Sequence, residues 1–420
     1  MSKKIMSAVA TSLALTLSLT ACTSKDFIET EANIGLENPN EIVSLRVWGS
    51  QEDQDLLNQL VEGFKQEYSE EASFDITVEV EDEMNCKYSI LGDVSSAPDV
   101  FTFTDDQIMT FAAAGIIEPI IYSEEVMAEN LEGAVEATTL NEEIYAYPLT
   151  ADNGYFMYYN KDYFTEEDVK TLDRMLEVAE ANNKQLCMDW SSGWYLYSFF
   201  GNTGLELGLN DDYVTNYCTW NSTSGEIKGV DVVKAMSQIA SSKAFTNRQD
   251  TEFMAGVQDG TIIAGISGVW NAMEIEEAWG DAYAAVKLPT YTVTGKQVQM
   301  ASYAGYKTLG VNSYSDNREW AEKLAQYLSN EQSQIERFKQ RGQGPSNINA
   351  ANSNEISESV AINALIQQSE FASIQRVGEF YWSAATELGE MLSNGELKGL
   401  THQALIDDIV EKITLTFDTK

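Results

Sequence analysis

Ile144-Tyr-Ala-Tyr-Pro-Leu-Thr-Ala-Asp-Asn-Gly-Tyr-Phe-Met-Tyr-Tyr-Asn160 is strand-like in composition but interrupted by Pro148 and Gly154. A proline removes a ladder donor and a glycine packs no side chain, so the run does not read as one central strand. It reads as a crossing, where an extended chain leaves one lobe for another. Leu288-Pro289-Thr290 and Arg341-Gly342-Gln343-Gly344-Pro345 have the same character, with turn residues set between periodic segments. Three crossings give two discontinuous lobes and one cleft, residues 41–150 with 290–340 and residues 151–289 with 341–420. Length agrees, because a chain of 420 residues exceeds what one hydrophobic core usually organises.

Within the lobes the pattern alternates. Val43, Leu45 and Val47 alternate with polar residues up to Trp48-Gly49-Ser50; Leu56, Leu57, Leu60, Val61 and Phe64 then share one helical face, and Phe74, Ile76, Val78 and Val80 alternate again. Pro98-Asp-Val-Phe-Thr-Phe103 reads as a buried strand, followed by a helix over 106–114 with Gly115 past its end. Helical spacing returns at Trp320, Leu324, Tyr327 and Leu328, at Ile362, Leu365 and Ile366, and at Val377, Tyr381, Leu388 and Leu392. Strands separated by helices predict an α/β fold with ligands at the carboxyl ends of the strands.

The N-terminus gives an address. Lys3 and Lys4, an apolar run from Ile5 to Leu19 that is short for a bilayer, and Leu19-Thr-Ala-Cys22 resemble a bacterial lipoprotein signal. That resemblance implies a signal peptide over 1–21, a lipid on Cys22, a tether over 22–40, and a protein held at the extracellular face of the cell membrane. One acyl chain holds only marginally, whereas a diacylated cysteine stays put.

Charge and residue inventory exclude several functions. A net charge of −40 repels nucleic acid and anionic lipid, and favours a neutral or cationic ligand. Beyond Cys22 only Cys86, Cys187 and Cys218 remain, which is not a disulfide framework; they read as small buried residues, with a Cys187–Cys218 bridge as the alternative. His402 is the only histidine, which removes zinc sites needing two and nucleophile systems not built on His402; it reads as a solvated surface residue. No dinucleotide loop, phosphate loop, nucleophile elbow or calcium loop is present in the sequence, and Gly265-Ile-Ser-Gly268 is too short for the elbow. Neither metal nor cofactor is expected.

Aromatic residues cluster beside small or polar ones at Trp190-Ser-Ser-Gly-Trp194-Tyr195, Gly268-Val-Trp270-Asn271 and Glu379-Phe-Tyr-Trp382-Ser383. Pyranose rings offer apolar C–H faces to indoles and hydroxyl edges to carboxylates and amides, so sugar sites pair these residue types. Most aromatics simply fill cores, and most carboxylates of so acidic a chain are solvated. Asp105-Asp106 after a strand and Asp152 beside a crossing are the better-placed acids. As a pair, Asp106 and Asp152 would also suit a glycosidase, the rival reading.

The ordered set of pieces Leu45-Arg-Val-Trp48, Ala97-Pro-Asp-Val-Phe-Thr-Phe103-Thr-Asp-Asp106, Ala114-Gly-Ile-Ile-Glu-Pro119, Ile144-Tyr-Ala-Tyr-Pro148, Tyr159-Asn-Lys-Asp162, Gly268-Val-Trp270, Leu288-Pro289 and Phe380-Tyr-Trp382 ahead of Ser393-Asn-Gly395 resembles the extracellular solute-binding proteins of bacterial sugar importers. The maltose/maltodextrin-binding branch is the most similar. The resemblance implies a periplasmic-binding-protein-like fold, in which two lobes close over an oligosaccharide and the closed form docks on an ABC permease. It implies a monomer that does no chemistry. Carried over by position, Phe103 stands at a stacking site, Asp106 at a hydroxyl-binding site, Asp152 at an acidic hinge site, and Trp194, Trp270 and Trp382 at aromatic platforms; Glu52 falls near an acidic ligand of the first loop. The pattern departs at Gln107, where the family has arginine, at Glu83-Met-Asn85-Cys86, which replaces a Lys/Glu-rich segment, and around Ser50-Gln51-Glu52-Asp53, where no basic residue matches. A surface lipoprotein that holds glycan without an importer is the third reading.

Overall fold

The computed structural model describes residues 42–416. The signal peptide expected over 1–21, the lipid on Cys22 and the tether over 22–40 lie outside those residues. The chain folds as two α/β lobes, each built on one sheet. In the first sheet the spatial order is Ala372–Ile374, Ser302–Val311, Val100–Thr104, Ile42–Gly49 and Ser73–Val80, and Tyr147–Gly154 also pairs with Ser302–Val311. In the second it is Phe245–Thr246, Gln185–Cys187, Ile262–Ser267, Phe156–Asn160 and Tyr283–Val286.

Alternation along each strand sends side chains to two cores. Val43, Leu45, Val47 and Val100 pack with Leu56, Leu57, Leu60, Val61 and Phe64 of helix Gln54–Glu67, whereas Trp48, Phe101 and Phe103 join Phe111, Ile116 and Ile117 on the other face. In the second sheet Phe156 and Tyr158 face one cluster, and Tyr155, Met157 and Tyr159 the other. Sheets covered on both faces leave their strand ends as the place where polar residues meet solvent. Helix Ile108–Ala113 stops before Gly115, whose φ of 69° supplies the left-handed turn that a helix end favours.

The first crossing differs from its sequence reading in one respect. Pro148 does not break the strand Tyr147–Gly154; it sits where the register with Ser302–Val311 shifts, a bulge that spares the missing donor. The change of sheet comes at Gly154, paired to Ala304 of the first sheet, and Phe156, paired to Ser267 of the second. Past Pro289 the hairpin Thr290–Val293 and Lys296–Gln299 contributes Tyr291, Val293 and Val298 to a core of the second sheet. Helix Glu331–Arg341 closes on Gly342, left-handed at φ 67°. Strand Ala372–Ile374 pairs with the first sheet, so the chain crosses again after it. There Arg376 is bound to the first lobe through the Asp105 carboxylate and the Ala137 carbonyl. Gly378 is bound to the second, donating to Asn216 Oδ1 at 2.6 Å, with room for no β-carbon because one would lie 2.1 Å from the Val214 carbonyl oxygen.

The three cysteines Cys86, Cys187 and Cys218 are free. Cys187 is buried and lies 3.6 Å from the Arg248 carbonyl. His402 is half-buried rather than solvated, because it opens helix His402–Ile413 with its Nε2 3.0 Å from Ser237 Oγ. No helix among the described residues is long and apolar enough to cross a membrane.

Candidate functional site

A cleft of about 720 Å³ is lined from both lobes, within the range of small-molecule sites. Strands Ile42–Gly49, Ser73–Val80 and Val100–Thr104 run parallel, so their carboxyl ends share one edge. The turns beyond two of these ends bring Glu83, Met84, Asn85 and then Asp106 and Gln107 to the cleft. The second lobe supplies Trp194, Trp270 and Trp382.

Each tryptophan is placed by a close approach. Trp194 is the second residue of helix Gly193–Phe200, and Trp382 lies in the first turn of helix Phe380–Ser393. The two helix starts abut because residue 193 is glycine: a β-carbon there would lie 3.0 Å from the Trp382 carbonyl oxygen, and the Tyr381 hydroxyl donates to the Gly193 carbonyl at 2.7 Å. Trp270 folds back over Gly268, where a β-carbon would sit 1.9 Å from its ring. Rings of Trp194 and Trp270 lie 5.9 Å apart at 36°, and Tyr155 buttresses Trp194 edge-on at 4.6 Å. Trp270 nonetheless stays 43% exposed. An indole held rigidly and left half open is a ready platform for a flat apolar face.

The first lobe contributes polar groups. Gln107 donates to the Glu83 carbonyl at 2.7 Å and to Thr104 Oγ1 at 2.9 Å, and accepts from the Lys87 amide, so it staples the 83–87 turn to the end of strand Val100–Thr104. Lys307 pairs with Glu83 at 3.0 Å at the cleft. Burial raises the Asp106 carboxyl above its ordinary range, opposed by the Thr104 hydroxyl and Lys87.

Beside it, Asp105 takes the Tyr306 N–H at 2.9 Å and Arg376 Nη1 at 2.8 Å. Its burial outweighs the guanidinium, and its pKa is pushed up to about 6. A carboxyl raised in the folded state binds its proton more tightly there than in the unfolded chain, so its contribution to stability is lost as pH rises through that value. Thermal melts of Asp105→Asn should therefore gain on the wild type as pH goes from about 4 to about 7.5. A gap between the two that stays constant with pH would contradict this.

Of the residues singled out in the sequence, Asp106, Trp194, Trp270 and Trp382 are brought together at the cleft. Phe103 is not: it is fully buried against Phe101 and Phe111, at 5.6 and 5.0 Å, because its strand is covered on both faces. Asp152 is buried and accepts from the Gly344 amide at 2.8 Å, so it ties one crossing to another and does not line the cleft. Glu52 is exposed outside the lining, while its neighbour Asp53 is buried against Arg337 and Arg341. Cys22 lies outside the described residues. With Asp152 turned away, Asp106 and Asp152 do not flank one bond as glycosidase carboxylates must. No group of three or more His, Cys, Asp or Glu among the described residues is arranged to hold a metal.

The structure also brings in Tyr88, Asp189, Arg248 and Asp250, which the sequence did not single out for the cleft, and Glu83 and Met84, which it noted only as a departure from the family's ligand segment. Glu83 and Met84 follow strand Ser73–Val80, Asp189 follows Gln185–Cys187, and Arg248 and Asp250 follow Phe245–Thr246. Strand ends, taken as strictly as aromatic clusters, would have pointed to them.

The model for the family described as bacterial extracellular solute-binding protein matches residues 59–364. The chain is 25% identical over 400 residues to the galactooligosaccharide-binding protein of Bacillus subtilis (strain 168), covering 91% of each. A structure solved with acarbose is 28% identical with a TM-score of 0.79, covering 89% of this chain and 99% of that one. The maltodextrin binding protein MalE1 from L. casei BL23 without ligand, 24% identical with a TM-score of 0.77, shares the fold over 90% of this chain and 100% of its own.

Proposed function

This chain belongs to the bacterial extracellular solute-binding protein family, and on that premise we propose that its cleft holds a neutral gluco-oligosaccharide of maltodextrin type for delivery to an ABC permease. It is a binding protein and not an enzyme. One observation supports the ligand class above the rest: indoles from three separate segments, Trp194, Trp270 and Trp382, face one cleft that also presents Asp106 and Asn85. Flat apolar faces flanked by hydroxyl acceptors and donors are what a pyranose chain asks for. A ligand touching both lobes binds the closed form more tightly, and that difference shifts the hinge equilibrium. We further propose a monomer anchored at the outer membrane face through lipid on Cys22, which a Cys22→Ala variant released into the medium would support and a membrane-retained one would contradict.

The likeness to the galactooligosaccharide-binding protein favours a second reading, in which the same cleft takes galacto-oligosaccharides. Calorimetry of the purified protein against malto-, galacto- and xylo-oligosaccharides separates the two. The malto series is expected to bind tightest and to be recovered at its original length. Preference for the galacto series replaces the ligand, shortened sugar revives the glycosidase, and silence across the panel removes the oligosaccharide reading.

A further inference from the structure

With Phe103 buried, the first lobe lacks the stacking residue expected there, yet one exposed ring stands at its side of the cleft. We propose that Tyr88, flanked by Met84, is the stacking platform of the first lobe, and that it extends the binding surface so that affinity depends on ligand length. This rests on the oligosaccharide reading above.

Helix Cys86–Gly92 explains why Tyr88 points outward. Cys86 and Ile90, four residues apart, are fully buried in the cluster around Phe101, Phe103 and Phe111. Positions 88 and 91 fall on the opposite side of the helix, and Met84 stands in the turn just before it; Met84, Tyr88 and Leu91 are 71%, 62% and 42% exposed. Such a stripe of large apolar side chains facing water marks a surface that something covers. Its occupant follows from continuity, because Met84 and Tyr88 line the same cleft as Trp194, Trp270 and Trp382. Asn85 and Lys87 on the same turn also line it and supply hydroxyl partners, and the Lys87 ammonium lies 5.0 Å from the Tyr88 ring centre, orienting it. The covering group is therefore a further stretch of the sugar chain already held by the tryptophans.

The test is calorimetry of linear oligosaccharides from the disaccharide to the hexasaccharide, with wild type, Tyr88→Ala, Met84→Ser and, as an exposed control outside the cleft lining, Tyr314→Ala. Wild-type affinity should climb with length. Tyr88→Ala should cost on the order of tenfold with the longest ligand and under about twofold with the disaccharide, Met84→Ser less, and Tyr314→Ala nothing. Wild-type affinity of Tyr88→Ala at every length would overturn the proposal while leaving the oligosaccharide reading intact, provided Trp270→Ala still weakens binding. Equal loss for every length would overturn the length dependence. Failure of the wild type to bind any glycan would sink both.

Discussion

Replacing Trp270 by alanine is expected to weaken oligosaccharide binding at least about tenfold while the protein still melts as one cooperative unit. Each aromatic platform contributes on the order of 1–3 kcal/mol, from buried area and from the water it excludes. Trp270 is the cleaner probe, since its 43% exposure means that truncation opens no core cavity. Trp382 should show a loss of similar size, although its ring packs on Tyr381 at 5.0 Å and truncation will also cost stability. Trp194 is braced by Tyr155 and Tyr195, so its removal would disturb the wall that supports Trp270. Calorimetry beside thermal melts reads both quantities. Unchanged affinity in the Trp270 and Trp382 variants would withdraw the indole wall as the binding surface.

Asp53→Ala should cause the largest loss of stability, about 3–5 kcal/mol, the range for removing one partner of a buried ion pair. Asp53 and Arg337 are each 1% exposed, and Arg341 donates to the same carboxylate at 2.9 Å. Removing the aspartate strands a guanidinium in the protein interior with only Gln343 Oε1 at 3.0 Å to receive it. Burial alone would raise the Asp53 pKa, but Arg337, Lys307 and the hydrogen bonds from both arginines hold it below the ordinary carboxylate range. A carboxyl lowered in this way stabilises the fold above its unfolded pKa, and the benefit is lost as pH falls through its folded value. The gap between wild type and Asp53→Ala in denaturant melts should thus be full at neutral pH and shrink only in strong acid. A gap that is small at neutral pH would mean that water reaches Arg337 in the variant.

Much of the architecture could be read from side-chain periodicity. All five apolar positions picked from Leu56 to Phe64 are buried on one face of helix Gln54–Glu67, because a helix covering a sheet shows its stripe openly. Strand Ala372–Ile374 was invisible by the same logic, since three residues carry no period. The aromatic wall was legible because Trp194, Trp270 and Trp382 stand beside small residues, and Gly193 and Gly268 turn out to be the spaces their neighbours and rings need. The first lobe was harder. Phe103 and Asp152 stand in extended segments where facing cannot be judged until the partner strands are known, and both face inward. Tyr88 escaped notice because its helix is short and its sequence neighbours are polar.

At the final crossing the two lobes grip residues that are only two apart. Arg376 is bolted to one half of the molecule and Gly378 to the other, and Val377 between them packs on the core of the second half. The passage from one half to the other is thereby made within two residues. A connection this short leaves almost no slack between the two anchors, so any change in the angle between the halves at this point has to be absorbed by the backbone torsions from Arg376 to Gly378.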